Sequence, residues 1–259
     1  MKAVRVLETN ILHASDVIYW LDGITAVQEA EMQRLDSVLS VTLDTVPADV
    51  QLLHTAGKTA LWRKNAGVIV AGQADETDKQ LPLETSYNLT GSVSDGQRRY
   101  IPRRFDIQAG NNASHSLVLY PTPFGTRLGR GGGLRGTLRF DASNKPVVWA
   151  LLTLTVDLTL GATMVFRAQS DAHGDFIISM QRLPPLPEGS SEYAATLTIQ
   201  ALADATPEEA VDPADLVAMN LGDLSVADSF AASIALSVVP GDIALIRSSN
   251  RDHLSVQPT

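Results

Sequence analysis

The run Gly131-Gly-Gly133-Leu-Arg-Gly136 has the G-x-G-x-x-G spacing that brings backbone amides up to a dinucleotide pyrophosphate. That chemistry needs a strand before the first glycine and a helix after the last. Here Gly136 already falls within an alternating run, Leu134, Gly136, Leu138 and Phe140. The glycines therefore read as an inter-strand connection whose arginines meet a neighbour. Ala56-Gly57-Lys58-Thr59 ends as a P-loop ends, but position 52, where the first glycine belongs, is Leu52. Without that glycine the phosphate cradle does not form. His13, His54, His115, His173 and His253 are scattered, with no paired ligand spacing. Asp171-Ala-His173-Gly-Asp175 is the one local His/Asp cluster, and it reads as hairpin turn chemistry before Phe176-Ile177-Ile178. Glu208 and Glu209 follow Thr206-Pro207 in a helix-capping pattern, not in a catalytic pair. There is no G-x-S-x-G elbow and no cysteine. The sequence thus predicts no catalytic residue, no cofactor and no bound metal.

The elements that would position these residues are strands. Tyr87, Leu89, Gly91 and Val93 alternate with polar residues, as do Tyr193, Ala195, Leu197 and Ile199. Val148, Ala150, Leu152, Leu154 and Val156 predict one face of a longer strand; Ile234, Leu236 and Val238, then Leu254 and Val256, repeat the pattern. Trp20 and Trp149 read as core. Turn residues at Ser94-Asp95-Gly96, Asp141 to Pro146, Pro184 to Gly189 and Pro240-Gly241 separate the runs. Ile24 to Asp36 has loose helical spacing, Thr206 to Glu209 predicts about one helical turn, and Asp215 to Leu221 a second short turn. Short strands with intervening turns predict an all-β protein of two or more stacked β-sandwich modules with short helical connections.

Three parts are expected: a first β module at 1–80, a central β-sandwich region at 81–202, and an acidic connection with C-terminal strands at 203–259. The last strands are expected to pair back into 1–80, because neither flank has core enough to stand alone.

The chain has 259 residues, 44% hydrophobic and 19% charged, with a net charge of −9. That is a globular composition, and it argues against a generally basic nucleic-acid binder. The N-terminus lacks an apolar h-region and no run is long enough to span a bilayer, so cytoplasmic synthesis without membrane insertion is expected. Charge is segregated. Between Asp95 and Arg139 eight arginines face two aspartates, a local +6; residues 203–259 carry nine acids and two arginines, a local −7. Opposite patches of this kind suit subunit complementarity. Arg98, Arg99, Arg103, Arg104, Arg127, Arg130 and Arg135 are the expected partner contacts.

Leu134-Arg-Gly-Thr-Leu-Arg-Phe, Asn144-Lys-Pro-Val-Val-Trp-Ala and Ser170-Asp-Ala-His-Gly-Asp-Phe together resemble the carboxypeptidase regulatory-like domain over 134–202. Gly136, Pro146, Val147, Ala150, Asp171, Gly174 and Phe176 occupy that family's places; Pro184-Pro-Leu-Pro187 departs from its usual short turn. The resemblance implies a transthyretin-like, immunoglobulin-like sandwich without a peptidase site. The wider layout is similar to β-sandwich proteins of phage-like contractile tails and contractile injection systems. It runs from Val4-Arg-Val-Leu and Trp20-Leu-Asp22-Gly23 through Trp62 to Gly72 and Tyr87 to Val93, then Tyr100-Ile-Pro-Arg-Arg-Phe105 and the closing Leu236 to Gly241. This likeness implies a non-enzymatic baseplate or tail-associated subunit. Its partners would be other particle subunits and possible further copies of itself, first in the cytoplasm and then in the particle. A carbohydrate-binding or adhesion module is the alternative, and it requires exposed aromatic side chains.

Overall fold

Alternation of apolar and polar residues drives two separate sets of strands around two cores. A computed structural model describes residues 14–45, 50–63, 86–110, 113–158 and 161–259. The first set comprises β1 (Ala14–Asp22), β2 (Ser40–Leu43), β3 (Val50–Thr55), β4 (Lys58–Arg63), β5 (Tyr87–Ser94), β6 (Arg103–Ala109) and β7 (Ser114–Leu119). They form a sheet ordered β3-β4-β1-β7 and a sheet ordered β2-β5-β6. β1 runs antiparallel to β4 but parallel to β7. Ile18 and Trp20 from one sheet meet Leu89, Val93 and Phe105 from the other, which makes this a sandwich. Trp20 stands edge-on to Phe105 with ring centroids 6.0 Å apart, and its Nε1–H donates to Thr59 Oγ1 at 3.0 Å.

The second set comprises β8 (Gly133–Phe140), β9 (Leu151–Asp157), β10 (Thr163–Gln169), β11 (Asp175–Ser179), β12 (Tyr193–Ala201), β13 (Val217–Gly222), β14 (Phe230–Ala231), β15 (Ile234–Val238), β16 (Ile243–Leu245) and β17 (Leu254–Pro258). The path β10-β9-β12-β13-β17-β8-β11 curls around a single core of Leu138, Leu152, Leu154, Phe166, Phe176, Leu197, Leu221 and Val256. The expected all-β, sandwich-based class is what the chain adopts.

Several expectations change at this level. Among the described residues, the C-terminal strands do not pair with the strands of 1–80. β15 pairs with β12, β16 and β17 pair with β8, and β17 also pairs with β13. Ile234, Val238, Leu254 and Val256 complete the core of the second set, which is incomplete without them. The region 81–202 is correspondingly divided, because β5 to β7 belong to the first sandwich and β8 to β12 to the second.

Helical expectations shrink to 3-10 turns at Glu29–Glu31 and Pro213–Asp215. Asp212 caps the latter, its Oδ1 accepting from Ala214 N at 3.1 Å. Thr206 to Glu209 forms only a turn, and Asp215 to Leu221 runs on into β13 instead of a helical turn. The long strand expected from Val148 begins only at Leu151, because Trp149 takes a left-handed φ of +58°. Side chains satisfy the interrupted backbone. Ser170 Oγ donates to Val147 O and accepts from Ala150 N, both at 2.8 Å, and Gln169 Nε2 donates to Trp149 O at 2.9 Å.

Candidate interaction surface

The glycine run is packed too closely against neighbouring backbone to carry side chains. Gly131 lies so close to β11's exit that a Cβ there would stand 1.8 Å from Met180 O. A Cβ on Gly132 would stand 2.1 Å from Asp242 O, and φ at that residue is +74°. Gly133 similarly faces Ile178 O at 2.5 Å. The run is a strap packed between neighbouring backbones, with no helix following it. Ala56-Gly57-Lys58-Thr59 spans the β3–β4 turn, Gly57 having φ +67°. Asp171 to Asp175 is the expected tight turn: Asp171 Oδ1 accepts from His173 N at 2.8 Å and Asp175 N at 3.0 Å, and Gly174 has φ +81°. It does not close a hairpin, because β10 pairs with β9 and β11 with β8.

His13 lies outside the described residues. His54 contacts Thr59, His115 lies beside Asp16, and His173 is exposed on its turn. Among the described residues no three His, Cys, Asp or Glu side chains gather to hold a metal. One arrangement escaped the motif search. In Asp252-His253-Leu-Ser255, Asp252 Oδ1 lies 2.6 Å from His253 Nδ1, and His253 Nε2 lies 3.4 Å from Ser255 Oγ. The order of contacts is that of a Ser-His-Asp relay. The surroundings are not. Ser255 is buried, and its cavity of about 10 Å³ has room for one water and for no substrate. Asp252 is fully exposed, so it does not lock the imidazole; the His253 hydrogen bond holds its carboxyl below the usual range. His253 lies on the bend just before β17, which brings its ring beside Ser255.

The arginines divide into two groups. Those of Tyr100-Ile-Pro-Arg-Arg-Phe105 are used within the chain. Tyr100 Oη donates to Asp22 Oδ2 at 3.1 Å, and burial lifts the pKa of both groups. Ile101 enters a small core with Val148, Trp149, Val211 and Leu216 that seals the two sandwiches together. Arg103 spans the same seam, donating to Val118 O at 2.9 Å and to Asp212 at 3.0 Å. Arg104 reaches Asp44 at 2.6 Å and Glu209 at 3.6 Å. Part of the charge complementarity between the basic and acidic segments is therefore satisfied inside one molecule. Only 13% of the Arg103 side chain reaches solvent, so it offers little to a partner. Arg103→Met is expected to cost about 1–3 kcal/mol by stranding its hydrogen-bonded partners. Urea unfolding followed at Trp149, whose Nε1–H donates to Thr206 O at 2.8 Å across the same region, measures this.

The second group faces outward. Arg98, Arg127, Arg130 and Arg135 are exposed, and Arg99 is half-exposed while paired to Asp95 at 3.3 Å. Arg98 takes a left-handed φ of +55° on the Asp95 turn. That turn is fastened to the Thr122 to Thr126 turn, where Thr122 N donates to Arg99 O at 2.8 Å and Thr122 Oγ1 to Arg98 O at 2.9 Å. At the tip of the second turn Phe124 is 87% exposed. Across the seam a cleft of about 300 Å³ opens between Pro102, Arg104, Trp149, Pro207, Glu208 and Glu209. Trp20 and Trp149 are buried and Trp62 is half-buried.

No family model matches the sequence. No curated protein matches it. Among solved structures, the chain is similar to the minor pilin of the Gram-positive pathogen Streptococcus agalactiae, at 11% identity over 94% of this chain and 96% of that one, with a TM-score of 0.25. Likeness at that level adds nothing to the fold already described.

Proposed function

We propose that this chain is a non-enzymatic structural subunit, assembling into a phage tail or a contractile injection particle through its exposed arginine-bearing connections. The observation that carries the reading is the allocation of side chains. The motif-like residues serve turns, straps and seams, whereas Arg98, Arg127, Arg130 and Arg135 remain exposed with Phe124 between them in sequence. Exposed arginines beside an exposed aromatic are the composition of protein–protein contacts. The carboxypeptidase regulatory-like pattern at 134–202 and the tail-protein layout of the sequence support the same reading.

Quantitative mass spectrometry of purified particles from the native host tests it. A fixed ratio of this chain to a sheath or tube protein is expected. Absence from intact particles, with the chain free in the soluble fraction, overturns the reading. Reversing Arg130 and Arg135 to Glu together is expected to lower incorporation at least about tenfold while leaving the far-UV circular dichroism unchanged. Normal incorporation removes those two residues from the contact.

A further inference from the structure

We propose that the partner of the Phe124 turn is a second copy of this chain, whose cleft between the two sandwiches receives the benzyl side chain. This rests on the assembly reading and specifies its contact.

The turn is built as a fixed knob. Thr126 N and Thr126 Oγ1 donate to Thr122 O at 2.9 and 2.8 Å, and Gly125 N donates to Thr122 Oγ1 at 3.0 Å. A Cβ on Gly125 would stand 2.2 Å from Arg99 O, so the turn lies flush on the Arg98–Arg99 backbone. A side chain held out on so constrained a turn loses little freedom on docking. Phe124 is also unusual in kind. The other exposed large apolar side chains among the described residues are Val38, Leu53, Val217, Val226, Ile243 and Leu245, all aliphatic.

The cleft matches the knob in size and charge. About 300 Å³ lies at the small end of ligand-accepting pockets and is ample for one phenyl ring. Pro102, Trp149 and Pro207 supply apolar wall, and Glu208 and Glu209 are exposed at its edge. Arg104 is already held by Asp44 and Glu209, so it does not oppose an incoming cation. Arg98, on the backbone that the turn rests against, and Arg127, three residues after Phe124, are both exposed and meet the acidic edge as the ring enters. Phe124 stays 87% exposed in its own molecule, so it does not fill its own cleft. A surface knob complementary to a pocket that it does not fill in its own molecule joins one copy to the next.

The chain has no cysteine, which makes disulfide trapping clean. Pro123→Cys, which keeps Phe124, and Ala210→Cys, each purified separately, are mixed under mild oxidation; Ala210 lines the cleft. A mixed disulfide dimer is expected to form at least about ten times faster than either homodimer, a bias equal to one tenfold step in affinity. Sedimentation of the full chain is expected to show concentration-dependent association, weakened at least about tenfold by Phe124→Ala. Glu208→Arg/Glu209→Arg chains are expected to fail to self-associate, and to associate again with Arg98→Glu/Arg127→Glu chains. A wild-type chain that stays monomeric throughout, or association indifferent to Phe124→Ala, overturns the proposal. The two readings fail separately. Presence in particles with no effect of Phe124 removes this contact alone, whereas self-association through Phe124 in a chain absent from particles removes the particle reading alone.

Discussion

Replacing Asp16 with alanine is expected to lower the stability of the first sandwich by about 2–5 kcal/mol, because two backbone donors are stranded. The Asp16 side chain is completely buried at the start of β1. Its Oδ2 accepts the Gly110 amide and its Oδ1 the Ala113 amide at 2.7 Å, so one carboxylate fastens the end of β6 to the start of β7. His115 Nε2 lies 3.5 Å from the same Oδ1. Alanine removes both acceptors and leaves a void, with no water of equal geometry guaranteed in a buried site. Asparagine keeps one acceptor oxygen and is expected to lose about half as much. Urea unfolding monitored by Trp20 and Trp62 measures both, as a fall in midpoint with an unchanged slope. An Asp16→Ala midpoint within the error of wild type would show that the carboxylate does not hold the β6–β7 connection.

Gly131→Ala is expected to destabilise the second sandwich by about 3 kcal/mol or more, or to prevent it from folding. The atom that the new methyl meets is a main-chain oxygen, Met180 O at 1.8 Å, with Gln181 Cα at 3.1 Å behind it. No rotamer relieves a clash with backbone. Either the strap lifts from β11 or the β11 exit moves, and both open the core around Met180 and Leu183. Gly96→Ala is the matched control, since a Cβ there meets nothing within 4 Å; its effect is expected within about 0.5 kcal/mol. Equal stabilities for the two variants would refute the close-packed strap.

Local chemistry was legible wherever the cause is local. The Asp171 to Asp175 turn follows from an aspartate that caps its own turn and a glycine that tolerates positive φ, both within five residues; that the strands it joins pair with β9 and β8 and not with each other was not legible. The alternating runs at β5, β8 and β12 were readable for the same reason, because a half-buried strand needs only a two-residue period. Illegible was any property set by what lies across a contact. Val148 continues the alternation of β9, yet it is buried in the seam and not in the second core, because Trp149 turns the chain. Arg103 and Arg98 are indistinguishable by type and neighbourhood in sequence. One is buried against Asp212, 109 residues away, and the other is exposed. The Asp252-His253-Ser255 contacts had a short signal that could have been found, an Asp-His pair leading into a strand, but only the structure shows that Ser255 is buried.

The sequence by itself determined that this chain is all-β, that its glycine run is no nucleotide cradle, and that its charge is divided between segments. Those follow from period, turn chemistry and composition, which each residue carries with it. Only the tertiary structure decided that the C-terminal strands complete the second sandwich, that Tyr100 to Phe105 lines an internal seam, and that Phe124 stands exposed. Alternation states which face of a strand is buried but not against which strand, and that choice is made by long-range packing, where residues 100 or more apart in sequence first meet.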